Sequence, residues 1–303
     1  MSADRVGELR NAAASMVTRI VGFATVVVST VVIFWTPLST LIRFSFQEEH
    51  YSHIILVPAV SAVLLLYEGR KVFAQVETSW KAGVGLLAAG ALFGWCGLAY
   101  AGSPSENDRL FITTSSVVLM WIGGFVLCFG LRAVRAGLFP VLFLVLMVPL
   151  PDPLLNAVVF SLQTGSAEVS HALFQLIGVP VFRTGFELAL PGLTIEVAKE
   201  CSGIRSSLAL LFTSLLAGHL LLRSAGRKTA LALVTVPLLM IKNGIRIVTL
   251  STLAIYADPS FLTGKLHSEG GFVFFLLALA ILAPVLWFLQ RSEANLQRSE
   301  ANH

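Results

Sequence analysis

The sequence predicts an all-α, polytopic membrane helical bundle of about eight transmembrane helices. Of its 303 residues, 56% are hydrophobic and only 13% are charged, and the mean hydropathy is +0.82; a soluble globular protein is less apolar than this. Apolar runs of roughly twenty residues, each long enough to cross about 30 Å of hydrocarbon, fill most of the chain. We therefore expect a single integral membrane domain over residues 1–303, with cytoplasmic tails at 1–19 and 290–303.

Eight apolar segments account for the predicted spans. The second and the fifth are short and contain Pro58 and Pro149 near one end, so we expect irregular backbone buried among neighbouring helices to extend them. The first lacks a small-residue cleavage site and is predicted to be an uncleaved span. The segments lie at about 20–42, 54–67, 82–101, 112–131, 138–150, 203–222, 229–256 and 269–289.

Basic residues alternate between the loops of the two membrane faces. Thirteen Lys and Arg residues fall in the termini and loops of one face, against five in the loops of the other. By the positive-inside rule, this asymmetry predicts a protein of the cytoplasmic (inner) membrane with both termini in the cytoplasm. The net charge of +4 is therefore interpreted as loop charge that orients the protein, and no nucleic-acid partner is predicted.

The long connection at 151–200 then lies on the extracytoplasmic face. Its first part, NAVVFSLQTGSAEVSHALFQLIG, mixes helical periodicity with polar residues and predicts a small interfacial amphipathic helix. Its second part, VPVFRTGFELALPGLTIEVAKE, has apolar and β-branched residues punctuated by Gly185 and by Pro191-Gly192. This pattern predicts a small hairpin that leads into Cys201.

Three residues that could take part in catalysis are predicted to lie at the outer face, although they are far apart in sequence. Cys201 opens the sixth span, where a helix N-terminus favours a thiolate, and Arg205 at i+4 adds positive potential. Arg246 lies 17 residues after Thr229, roughly 25 Å into the seventh span, and His267 precedes the eighth. A thiolate, a guanidinium and an imidazole can together perform acyl transfer on a peptide bond.

The same three residues also have structural interpretations. Cys201 can be a small packing residue, His267 can cap a helix, and Arg246 can pair with a carboxylate or with helix-end carbonyls. Lys242, Asn243 and Arg246 on one stretch of helix equally fit an ion or substrate path, which is the transporter or channel alternative. An internal hydropathy repeat, which would favour transport, is not found.

The remaining polar residues indicate no cofactor. The three cysteines are not clustered and an HExxH motif is absent, so neither a thiolate metal site nor zinc proteolysis is predicted. A membrane acyltransferase would need a different His or Ser constellation. His50 and His53, also on the outer side, are either a second polar layer around the site or a pair of interfacial histidines.

Several passages, taken in order, resemble the exosortase and archaeosortase family from about residue 44 to residue 280. YSHIILVPAVSAVLLLYEGRK resembles its early His and Val-Pro segment. FLVLMVPLPDPLLN, VPVFRTGFELALPG and IEVAKECSGIRSSLALL resemble its central region around the cysteine. TVPLLMIKNGIRIVTLS and HSEGGFVFF are similar to its arginine and histidine segments.

The resemblance implies a membrane cysteine protease or transpeptidase with Cys201 as the nucleophile, Arg246 as the stabilising cation and His267 as the general acid and base. The implied partners are the lipid bilayer and exported proteins that end in a sorting signal: a motif such as Pro-Glu-Pro, a transmembrane helix and a basic cluster. Members of the family accompany extracellular polysaccharide production. The acyl acceptor and the oligomeric state stay open.

Four further residues are expected to contact the substrate. We expect Arg205, Lys199 or Arg183 to bind an acidic residue of the motif, because the surroundings of the thiol are cationic. Asn243 is expected either to hydrogen-bond the oxyanion or to bridge two helices.

Overall fold

The structure is a computed structural model that describes residues 3–47, 51, 53–99, 105–198, 204–262 and 271–301. The described chain is helical except for short loops, 3-10 turns and one small sheet. It forms two compact units, residues 1–152 and residues 153–303.

The first unit consists of seven α-helices among its described residues, with 3-10 turns after α4 and α7 at Phe73–Gln75 and Leu144–Met147. The helices are α1 (Ala3–Ile33), α2 (Trp35–Gln47), α3 (Leu56–Tyr67), α4 (Gly69–Val72), α5 (Trp80–Ala99), α6 (Glu106–Ala136) and α7 (Leu138–Phe143).

Glycines of α5 allow it to pack very closely against α6. A Cβ atom on Gly83 would lie 2.6 Å from the Cα of Leu127, and one on Gly97 would lie 2.3 Å from a side-chain carbon of Ile112. The hydroxyl of Ser116 donates to the carbonyl of Gly90 at 2.6 Å across this contact. Small residues and interhelical hydrogen bonds are the usual means of holding helices together in a bilayer, where burial from water supplies no driving force.

The second unit contains α8, a three-stranded antiparallel sheet and three further helices among its described residues. The elements are α8 (Asp152–Leu176), β1 (Phe182–Thr184), β2 (Glu187–Leu190), β3 (Leu193–Glu196), α9 (Ile204–Leu221), α10 (Ala225–Tyr256) and α11 (Gly271–Ala301), with a 3-10 turn at Pro259–Leu262. The boundary between the units falls at the first residue of α8.

The sheet has the order β1-β2-β3 and packs against α8 and α10. Its turns use Gly185 and Gly192, both with φ near +60 to +70° (62° and 72°), a conformation that glycine adopts without steric cost. Leu188 and Leu190 of β2 join Phe174 of α8 and Val248 of α10 in one buried cluster. The sheet therefore lies at the end of α10 that carries Val248.

The opposite end of this unit is held by a carboxylate. Glu293 of α11 accepts hydrogen bonds from the backbone N–H groups of Arg223 and Ser224, at 3.0 and 2.7 Å, in the turn between α9 and α10. The guanidinium of Arg227 lies 3.6 Å from the same carboxylate. Two basic segments that the charge pattern assigns to the cytoplasm, the α9–α10 turn and the end of α11, thus lie together.

The helices confirm the predicted all-α membrane architecture. Among the described residues, four helices are long and apolar enough to cross a membrane: Ala14–Ile33, Glu106–Ala136, Ala225–Tyr256 and Gly271–Leu296. A fifth span results if Leu138–Met147 and Asp152–Leu176 form one broken span. The total of eight spans stays a prediction.

The connection at 151–200 differs from its prediction in two ways. In place of a small interfacial helix the chain forms the 25-residue α8, and Gln163, Ser166 and Ser170 on this helix are buried. Gln163, one of the polar residues in the predicted amphipathic pattern, is hydrogen-bonded inside the unit, whereas Glu168 of the same pattern is exposed. In place of one hairpin there are three strands, because both Gly185 and Pro191-Gly192 form turns.

Candidate functional site

Three polar residues of the predicted site region lie on α10. Lys242 and Asn243 are each only 1% exposed, and Arg246, one helical turn further, is half-buried. A charged side chain inside an apolar span is costly and is normally held by polar partners or faces a polar cavity. Arg246 follows Lys242 by four residues on the helix, so two cationic side chains share this part of α10.

Lys242 connects α10 to the first turn of α9. Its ammonium donates a hydrogen bond of 2.5 Å to the hydroxyl of Ser206 and a longer one of 3.4 Å to the hydroxyl of Ser207. These serines follow Ile204, the first residue of α9, by two and three positions. The start of this helix is therefore fixed to α10.

Asn243 connects α10 to α8. Its amide nitrogen donates to the hydroxyl of Ser166 at 3.0 Å. The two helices approach closely at this point, because a Cβ atom on Gly244 would lie 2.5 Å from a methyl carbon of Val169, and one on Gly165 would lie 2.2 Å from the sulfur of Met240. Of the two roles expected for Asn243, the structure shows the bridge between helices.

The exit of the sheet is fixed to α8 as well. The amide nitrogen of Gln163 donates to the carbonyl of Val197 at 2.6 Å, and the N–H of Val197 donates to the carbonyl of Phe186 at 2.9 Å. The chain is thus held on both sides of residues 199–203: at Val197 by α8, and at Ser206 by α10.

Arg183 lies on β1 and has protein partners. Its guanidinium forms an ion pair with Glu168 of α8 at 2.6 Å, and its Nε donates to the carbonyl of Gly185 at 2.8 Å. A cleft of about 440 Å³ lies beside it and is also lined by His171 and Phe182. The expected contact between Arg183 and a substrate stays a prediction.

Most of the predicted catalytic set lies outside the described residues. Cys201, His267 and Lys199 fall in the undescribed ranges 199–203 and 263–270, and the side chain of Arg205 is not described either. Their expected roles stay predictions. Within the described part of the chain, no group of three or more His, Cys, Asp and Glu side chains could hold a metal ion.

Comparison with known proteins gives a family match. The sequence model of the family described as Transmembrane exosortase (Exosortase_EpsH) matches residues 42–284. The chain belongs to the transmembrane exosortase family. No curated protein and no solved structure matches it. The match confirms the resemblance seen in the sequence motifs. Together with the apolar helices, it also confirms the prediction of a multi-pass membrane protein.

In this member of the family, three serines of α8 and α9 and Gln163 are site components that the sequence pattern did not indicate. Ser166, Ser206 and Ser207 are common residues in apolar helices, and only their polar partners show that they matter. The sequence feature that points to these contacts is Lys242, since a lysine next to Asn243 in an apolar run requires a polar partner.

The first unit of the chain holds a polar cluster of its own. Asn107 of α6 donates to the carbonyl of Leu150 and to the carboxylate of Asp152, both at 2.7 Å, and accepts from the hydroxyl of Tyr51. His53 lies in the turn before α3, where its carbonyl accepts from the N–H of Leu56 at 3.0 Å. His50 lies outside the described residues. Both interpretations of His50 and His53, a second polar layer around the site and a pair of interfacial histidines, therefore stay predictions.

Proposed function

We propose that this family member is a membrane-embedded cysteine protease or transpeptidase that cleaves the C-terminal sorting signals of exported proteins. The observation that carries the proposal is the family match over residues 42–284, which includes Cys201, Arg246 and His267. A signal made of a short motif, an apolar helix and a basic tail suits a protein that lies almost entirely in the bilayer. The apolar helix of the substrate would lie against the bundle and its basic tail would stay in the cytoplasm.

The proposed reaction has two steps through a thioester. The thiolate of Cys201 attacks the scissile carbonyl carbon, and Arg246 stabilises the negative charge that develops on the carbonyl oxygen. His267 donates a proton to the leaving amine, so that the C–N bond breaks and a thioester remains. An acceptor amine or water then attacks the thioester, His267 takes its proton, and the thiolate is released.

Chain connectivity supports a place for Cys201 beside the polar residues of α8 and α10. Cys201 is three residues from Ala198 and three from Ile204, and three residues of fully extended chain span at most about 11 Å. The neighbouring Val197 is hydrogen-bonded to Gln163, and Ser206 is hydrogen-bonded to Lys242. We propose that these two attachments hold the nucleophile segment in place.

Recognition of the motif is assigned to cations near the thiol. We propose that Lys199, Arg205 and Arg183 supply the positive charges that an acidic motif residue would contact. Asn243 contributes by keeping α10 against α8.

The proposal includes an orientation. Eight spans with both termini in the cytoplasm of the inner membrane would put the active site on the extracytoplasmic side, where exported substrates are. An association with extracellular polysaccharide production follows from the family resemblance.

A transporter or channel with a cationic site is the alternative. It requires Lys242 to line an open path. The side chain of Lys242 is 1% exposed and bound by two serine hydroxyls, which favours a structural contact over a path.

Replacement of the nucleophile tests the proposal. A secreted reporter that ends in a Pro-Glu-Pro motif, an apolar helix and a basic cluster is expressed with the exosortase, and its size is followed by immunoblot. We expect Cys201→Ala to leave the reporter full-length in the membrane, while the exosortase itself remains abundant. Cys96→Ala is the matched control, because Cys96 is exposed on α5; it should process the reporter normally. Normal processing by Cys201→Ala would exclude the proposed nucleophile.

A further inference from the structure

A cleft opens beside the segment that carries Cys201. It has a volume of about 730 Å³, within the range of sites that bind small ligands or short peptides. It lies between the first half of α8 and the end of the sheet. The residues that matter here are Asn156, Phe160 and Gln163 of α8, and Phe186, Glu196 and Ala198 of the sheet region.

Two aromatic rings form the apolar wall of the cleft. Phe160 and Phe186 meet edge to face, with ring centroids 5.7 Å apart and an interplanar angle of 84°. The side chain of Phe160 is nevertheless 60% exposed. A large ring that is held in one orientation and is still accessible can contact the side chain of a ligand at little cost in conformational entropy.

Among the described residues, no strand pairs with the outer edge of β3, the strand next to the cleft. Leu190 and Leu193 flank the two-residue turn and form the closing pair of the β2–β3 hairpin, so backbone bonding toward β2 alternates from Leu193 onward. Val197 continues this alternation, since its N–H donates to the carbonyl of Phe186. The backbone groups of Thr194 and Glu196 therefore point to the outer edge of β3, which no described strand covers.

The hydrogen-bonding groups and the charge of the cleft indicate which kind of ligand it would bind. An extended peptide can pair with the free edge of a strand and place alternate side chains in a neighbouring pocket. A lipid acyl chain has no hydrogen-bonding groups and would leave the edge of β3 and the amide of Asn156 unsatisfied. Glu196 is the charged side chain in the lining, so the occupant next to it is neutral or basic.

The position of the cleft identifies which peptide it would hold. The lining ends at Ala198, and Cys201 follows three residues later. A peptide that lies along β3 therefore leads to within about 11 Å of the proposed nucleophile.

We infer that this cleft and the outer edge of β3 bind the substrate segment next to the scissile bond, in an extended conformation, with an apolar side chain against Phe160 and Phe186. The inference rests on the proposed function, because it takes Cys201 as the point of cleavage. It adds a binding mode and a location that follow from the sheet and α8.

Site-specific photo-crosslinking tests the inference. p-Benzoylphenylalanine replaces Phe160, Glu196 or Phe288 in turn, in the Cys201→Ala variant, and the probe is the membrane-anchored reporter with its Pro-Glu-Pro signal. Phe288 is the matched control, because it is an aromatic residue of α11, 65% exposed, toward the end that carries Glu293 and away from the sheet. We expect positions 160 and 196 to capture the segment of the reporter adjacent to the motif about tenfold more efficiently than position 288.

A second measurement uses the enzyme with Cys201 intact. Phe160→Ala should slow processing of the reporter about tenfold, as the loss of an aromatic anchor does at other interfaces. Phe288→Ala should change it less than twofold. Because Phe160 is largely exposed, its replacement should not lower the amount of folded protein.

The outcomes separate this inference from the proposed function. Equal capture at the three positions, capture of lipid only, or a crosslinked homodimer would overturn the assignment of the cleft. Processing that persists in Cys201→Ala would instead refute the proposed nucleophile, whatever the crosslinking pattern. If Cys201→Ala is inactive while positions 160 and 196 capture nothing, the proposed function stands and the cleft assignment fails.

Discussion

The amide nitrogen of Asn243 donates a hydrogen bond of 3.0 Å to the hydroxyl of Ser166, and both residues are buried. The bond joins α10 to α8 next to Gly244, where the backbones approach closely. Inside an apolar unit, a polar side chain without a partner is expensive, so each of these residues depends on the other.

The first prediction concerns this pair. Asn243→Ala should lower the stability of the detergent-solubilised protein by about 1–3 kcal/mol, because a buried hydroxyl loses its donor and a cavity forms. Ser166→Ala should lower the stability by a similar amount, and the double variant should be no less stable than Asn243→Ala alone, as expected for two partners in one interaction. Thermal unfolding and reporter processing are measured on all three.

The same series distinguishes the two roles of Asn243. If its amide also stabilises the oxyanion, Asn243→Ala would reduce processing about 100-fold or more at unchanged folded yield. Ser166→Ala would then be nearly neutral. That result would contradict a purely bridging role.

The second prediction concerns Lys242. Lys242→Met should leave the folded yield unchanged or increased, because methionine is of similar length and removes a buried charge. Processing of the reporter should nevertheless fall about tenfold, since Ser206 and Ser207 lose the ammonium that fixes the start of α9. Ser214→Ala is the control: Ser214 is buried on α9 but donates to the carbonyl of Leu211 on its own helix.

Transport activity gives the opposite expectation for these variants. A channel would respond to Lys242→Met with altered ion flux and would be insensitive to Cys201→Ala. Flux measured in proteoliposomes and processing measured on the reporter therefore separate the two functions. Unchanged processing in Lys242→Met would contradict the role of this lysine in positioning the start of α9.

The third prediction concerns the close approach of α8 and α10. Gly244→Ala should destabilise the protein by about 1–3 kcal/mol, because the added Cβ would lie 2.5 Å from a methyl carbon of Val169 and 3.3 Å from the backbone nitrogen of Ser170. Gly226→Ala, in the first turn of the same helix, has open space around it and should be neutral or stabilising. Equal unfolding temperatures for the two variants would contradict the packing described here.

Much of the helical architecture could be predicted because an apolar run of about twenty residues has few alternatives in a bilayer. The predicted segments 82–101 and 229–256 correspond to α5 at Trp80–Ala99 and α10 at Ala225–Tyr256. Their ends differ by a few residues, since polar first turns such as that of α10 continue the helix beyond the apolar run.

The polar contacts of the site could not be predicted in the same way. Hydropathy indicates that Lys242 needs a partner but contains no information on which helix supplies it, because that depends on packing between segments distant in sequence. Helix α8 shows the same limit. Its Gln163 belongs to the polar side of the predicted interfacial helix, yet here it is buried, because the carbonyl of Val197, 34 residues further along the chain, accepts from its amide.

The fourth prediction concerns Arg183 and its ion pair with Glu168. Because Glu168 is largely exposed, the pair should contribute little to stability, about 0–1 kcal/mol, and Arg183→Ala should leave the unfolding temperature nearly unchanged. If Arg183 binds an acidic motif residue, the same variant should slow processing of the Pro-Glu-Pro reporter but not of a reporter with Gln in place of the motif Glu. The charge-swapped variant, Arg183→Glu with Glu168→Arg, restores the ion pair without restoring a cation at position 183. It should therefore process the acidic reporter as poorly as Arg183→Ala does; full recovery would show that Arg183 acts only through Glu168.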